Sequence, residues 1–222
     1  MIERLPLPPV VDKFEERGAL RYSFFQTSSG DIAQLREAIS RHFQESDDKG
    51  PFWRLLSFKD EVLDELPRRV IDARTFLGDR YDLDRKTLVL FGNGYLNGKV
   101  RENPTYAELI AEGVRSRTSS SANVFGHPTP ETGSGGQYAY AFTQSPHGLG
   151  LGFADEQALF DEINQLILPP GEEAVITDWS SEKLGELCDY FEDGLEWWGV
   201  FLFTIYVPRL GQLVVISASA TD

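Results

Sequence analysis

The chain has one cysteine, one methionine and three histidines in 222 residues. A lone thiol, Cys188, has no partner for an internal disulfide. Three histidines, His42, His127 and His147, fall at none of the short spacings of a zinc site, and no second cysteine helps them, so no metal and no cofactor are expected. Long apolar runs are missing too. The longest, residues 197–207, is about half the roughly 20 residues a membrane-spanning helix needs, and the charged, proline-rich start has no apolar signal core. These absences point to a cytoplasmic protein away from the membrane. Positive charge is scarce: Lys and Arg number 21 against 35 Asp and Glu, for a net charge of −14. That balance opposes nucleic-acid binding, which draws its affinity from cations on phosphates.

What is present is an ordinary globular composition, 41% hydrophobic and 25% charged. The acidic excess is concentrated. Residues 155–196 hold 13 acids against one base, Lys183, while residues 1–154 hold 21 acids and 19 bases. Nearly all the net charge therefore sits in 42 residues.

Apolar spacing outlines the elements. Residues 10–17 read as a short helix and 20–26 as a strand. Asp31 caps a helix with Ile32, Leu35, Ile39 and Phe43 on one stripe, and His42 beside that stripe reads as surface or boundary. A further helix is expected within 51–66, a buried strand over 87–91, and turns at Asn93-Gly94 and Asn97-Gly98. A helix opens at Asn103-Pro104, and a strand is expected over 138–142. Asp155 caps a helix to about 167. Ser180 or Ser181 caps another to about 193, with Leu184, Leu187, Cys188 and Phe191 inward. Residues 200–207 are apolar on both faces, as a central strand would be, and 212–217 return as its hairpin partner. The pattern Asp-x3-Leu-x3-Ile after an aromatic segment occurs at Asp31 and again at Asp155, a faint internal echo.

This grammar defines an α/β or α+β fold: one mixed β-sheet of about five to seven strands covered by helices, with a C-terminal antiparallel hairpin. The chain reads as one domain over 1–222. Residues 116–136, rich in Ser, Thr, Gly and Pro, mark a junction between candidate halves 1–115 and 137–222.

Catalytic motifs are thin. The glycines at 133–136 precede a strand rather than open a helix, and no Gly-Lys-Ser/Thr follows, so they read as a flexible loop rather than a phosphate cradle. Asp79, Asp82 and Asp84 alternate, but Arg80 and Arg85 interrupt the pattern of a calcium loop. Cys188, on an apolar stripe among acids, reads as an inert buried thiol. His127 and His147 lie in Gly/Pro-rich loops and are the weak candidates for acid–base chemistry, which would make the protein a small hydrolase-like enzyme.

The charge pattern favours a different class. Asp161 and Glu162 on one helix, and Glu186, Asp189 and Glu192 on the next, fall on polar faces, and Trp197 stands at the following corner. Together they form the candidate partner-binding set of an acidic binding protein that docks a basic protein, as an inhibitor or a toxin-neutralising immunity protein does. A solvated, solubilising surface is the plain alternative, and a nucleic-acid mimic a third. The docking reading expects the two acidic helices to be neighbours on one sheet face.

Overall fold

The computed structural model describes residues 2–45, 57–116, 137–145 and 148–219. The strands run β1 (Ile2–Leu5), β2 (Leu20–Thr27), β3 (Arg69–Ile71), β4 (Tyr81–Asp82), β5 (Thr87–Leu88), β6 (Asn93–Leu96), β7 (Lys99–Glu102), β8 (Val175–Asp178), β9 (Phe201–Val207) and β10 (Gln212–Ala218). The helices are α1 (Pro9–Glu15), α2 (Ile32–Gln44), α3 (Asp60–Leu63), α4 (Ala73–Leu77), α5 (Tyr106–Ala111), α6 (Tyr138–Thr143), α7 (Phe153–Ile167), α8 (Leu184–Leu187) and α9 (Glu192–Trp197). A 3-10 turn, Asp189–Phe191, joins the last two.

The fold is α+β. Six strands form one sheet in the order β1-β2-β10-β9-β8-β3, antiparallel at every step. The sheet takes strands from both sides of residues 116–136, because β2 pairs with β10 over Leu20 to Gln26. The C-terminal hairpin lies at its centre. Its turn needs Gly211: φ is +60°, and a Cβ there would lie 2.7 Å from the Thr27 carbonyl oxygen.

Alternation along the central strands feeds two cores. Phe201, Phe203, Ile205 and Val207 of β9, with Val214 and Ile216 of β10, face one side, packed against Phe14, Phe76, Phe142 and Phe160 from α1, α4, α6 and α7. Leu202, Leu213 and Val215 face the other, packed against Leu35, Ile39, Leu63 and Leu187 from α2, α3 and α8. Helices on both faces explain why β9 is apolar at nearly every position.

Several local readings hold. Asp31 caps α2 by accepting the Gln34 N–H at 3.0 Å. Asn97 and Gly98, both with positive φ, turn β6 into β7. Others change. Residues 138–142 form helix α6, not a strand. All six of its residues are buried, so no polar face marks a helical period, and the large-small alternation of Tyr-Ala-Tyr-Ala-Phe imitates a strand. With α6 in that place the echo between Asp31 and Asp155 dissolves. The helix expected to 193 breaks at Cys188, whose φ of −156° and ψ of 132° are extended and which forms a lone β-bridge with Phe58. Only Thr87–Leu88 of the strand expected at 87–91 is a strand, and it pairs with β4 outside the main sheet. Asn93-Gly94 lies inside β6 rather than at a turn. Thr105, not Asn103, caps α5, in a reciprocal capping box with Glu108. Of the helix expected within 51–66, α3 is the part among the described residues.

Candidate functional site

The two acidic helical segments sit on opposite faces of the sheet. The inner residues of α7, Phe160 and Ile163, belong to the first core, and Leu184, Leu187 and Phe191 belong to the second. Asp161 and Glu162 are therefore separated by the sheet from Glu186, Asp189 and Glu192, and no single patch unites the five.

The α7 pair also divides. Glu162 is exposed. Asp161 is half-buried and accepts a hydrogen bond from Gln157 Nε2 at 2.9 Å, while Gln157 Oε1 accepts the Leu88 N–H at 2.8 Å and the Thr87 hydroxyl at 2.9 Å. Burial raises the Asp161 carboxyl above its usual range. Burial likewise pushes the nearby Tyr81 hydroxyl up to about 12, with the charges of Asp161 and Asp82 adding to the effect. Gln157 thus ties α7 to β5, and Asp161 orients its amide from one turn further along the same helix.

On the opposite face Glu186, Asp189 and Glu192 are exposed along α8, the 3-10 turn and the start of α9. Asp189 accepts the Ser57 N–H at 3.3 Å. The break at Cys188 brings a second acidic segment alongside. The Lys59 N–H donates to the Leu187 carbonyl at 2.9 Å, and Lys183 Nζ meets Glu65 Oε2 at 2.7 Å. That hydrogen bond holds Glu65 below the usual carboxylate range and Lys183 above its own. Helix α3 and its flank contribute Asp60, Glu61, Asp64 and Glu65, all exposed. With Glu182 this surface carries eight carboxylates against Lys59, Lys183 and Arg36, the last bound to Asp64 at 2.6 Å. Residues 60–65 lie in the stretch of chain whose total charge is nearly balanced. Segment averaging hides them there, and only contacts distant in sequence, from Lys59 to Leu187 and from Glu65 to Lys183, place them beside the C-terminal acids.

The same face conceals a polar chain. His42 is buried, with Nδ1 at 2.8 Å from Ser23 Oγ and Nε2 at 2.8 Å from Ser217 Oγ. Arg4 donates to Ser23 at 3.2 Å, and the Tyr190 hydroxyl joins Ser217. The expectation of a surface His42 is corrected. Ser23 and Ser217 point to this side of β2 and β10, and a histidine opposite them gives each buried hydroxyl a further partner. A serine beside a histidine has the outline of a nucleophile and its base, but all three residues lie between α2 and the sheet with at most 1% exposure, out of reach of a substrate. Cys188 is also buried, and burial pushes its thiol up to about 11, with Asp189 and Glu192 adding, so it is a protonated, unreactive thiol.

His127 and His147 lie outside the described residues. Trp197 closes α9 with its backbone, and its side chain lies outside them as well. Among the described residues no three His, Cys, Asp or Glu side chains gather as a metal site would require, and no helix is long and apolar enough to cross a membrane. Comparison with known protein families, with curated proteins and with solved structures returns no match.

Proposed function

We propose that the protein is a binding protein that docks a basic protein through the carboxylates of α3, α8, the 3-10 turn and α9. The observation that carries this reading is the junction of α3 with α8, which sets Asp60, Glu61, Asp64 and Glu65 beside Glu182, Glu186, Asp189 and Glu192. Exposed like charges repel one another, and a partner's lysines and arginines relieve that repulsion on contact. A surface of one sign also speeds encounter and rejects partners of its own sign. An inhibitor of a basic protein, such as an immunity protein that neutralises a toxin, has this character.

The test is affinity capture from the native cell with mass spectrometry, using the wild-type chain, a reversal of Glu186, Asp189 and Glu192 to Lys, and a control reversal of Asp155 and Glu162 to Lys on the opposite face. The proposal expects a basic partner that is captured by the wild type and the control and is lost with the first reversal. A capture profile identical for all three chains would refute it.

A further inference from the structure

The first sheet face carries a groove of about 580 Å³ between α1 and α7, on the side of the sheet away from the proposed docking surface. Its floor is apolar: Phe14, Leu149, Leu151 and Leu159. Its walls are charged: the α1 side carries two bases and one acid, and the α7 side only acids. Lys13 and Arg17 stand one helical turn apart on α1 and the turn that follows it, with Glu16 between them, and Asp155 and Glu162 stand two turns apart on α7. All four of the paired-wall residues are exposed. Among the described residues none of the four closes an ion pair across the groove. Arg17 lies along the wall beside Gly150, where a Cβ would come 3.3 Å from its Nη1 and where φ is +69°. The groove thus holds separated charges apart over an apolar bed, at a volume in the range of about 300–1,000 Å³ typical of small-molecule sites.

We propose that this groove binds a small zwitterionic amphiphile. Its apolar chain lies on Leu149, Leu151 and Leu159, its anionic group meets Lys13 and Arg17, and its cationic group meets Asp155 and Glu162. A ligand of one sign leaves one wall desolvated and unpaired, which is a penalty and therefore a source of selectivity. A neutral chain gains only the floor.

The probe is dodecylphosphocholine, titrated below its micelle-forming concentration into the full chain by calorimetry. Lauric acid and dodecyltrimethylammonium serve as single-charge comparisons. The expected result is saturable one-to-one binding of the zwitterion, with each comparison about tenfold weaker or more. Arg17→Glu and Glu162→Lys should each weaken the zwitterion about five- to tenfold, and Leu159→Asp should abolish binding. Both charged positions are exposed, and an unchanged near-UV circular dichroism spectrum verifies the fold of those variants. Absence of saturable binding would overturn the assignment. So would equal affinity for all three probes, which marks simple adsorption to apolar surface, or indifference to Arg17→Glu and Glu162→Lys.

Discussion

Lys59 and Leu187, 128 positions apart in the chain, share a backbone hydrogen bond of 2.9 Å. It forms because the chain at Cys188 leaves its helix and runs extended for one residue beside Phe58. Had residues 181–193 formed one continuous helix, that backbone would have been closed on itself and α3 would have had no edge to join. The break thus shapes this surface: it doubles the number of carboxylates on this face by adding those of residues 60–65 to those of 182–192.

The buried His42 is expected to be structural. His42→Ala removes a ring from the interior and takes a partner from both Ser23 and Ser217. The cavity and the lost hydrogen bonds together should cost about 2 to 4 kcal/mol. Urea unfolding checks this. A loss under about 1 kcal/mol would mean that the two serines readily find other partners.

Asp161 should make stability fall as pH rises. Its carboxyl is raised by burial, so the folded chain holds its proton more tightly than the unfolded chain does. The folded state therefore loses stability as pH climbs from the unfolded value to the raised folded one, and above that window the ionised carboxylate is a fixed cost. Asp161→Asn keeps an oxygen for Gln157 and removes the charge. It should be neutral near pH 3 and slightly stabilising at pH 7, the gain kept small by solvent screening of a half-exposed group. Denaturant unfolding at the two pH values reads the difference. A destabilised variant at pH 7 would show that the charge itself is favourable there.

Removal of residues 212–222 deletes β10 from between β2 and β9, where it pairs with both along its whole length. Two apolar strand edges are then left without hydrogen-bonding partners. The truncated chain should be insoluble or lack near-UV circular dichroism. A soluble product with a cooperative melt would show that the hairpin is peripheral.

Where sequence reading succeeded and failed follows from what each element hides. The cap and stripe of α2, the turn at Asn97-Gly98 and the central hairpin are legible because each has a local signature: a capping carboxylate, positive φ, and a strand apolar on both faces. Helix α6 has none, since burial on every side erases its period. The interruption at Cys188 follows from a long-range pairing with Phe58, and nothing in residues 181–193 encodes it. His42 looked peripheral because its partners, Ser23 and Ser217, are distant in the chain. The acidic excess was legible as composition, but its division between two sheet faces, and its joining with residues 60–65, depend on topology.

We propose that the α3–α8 face, and not α7, meets the basic partner. The most direct measurement is the association rate with the captured partner across a salt series, for the wild type and for the reversal of Glu186, Asp189 and Glu192 to Lys. Screening acts over about 8 Å at physiological ionic strength, so steering by exposed carboxylates must weaken as salt rises. Docking through this face requires an on-rate that falls steeply with salt in the wild type, is at least about tenfold lower at low salt in the reversed chain, and changes little in the Asp155 and Glu162 control. An on-rate that is insensitive to salt and to the reversal would contradict it, and would leave these carboxylates as a solvated surface.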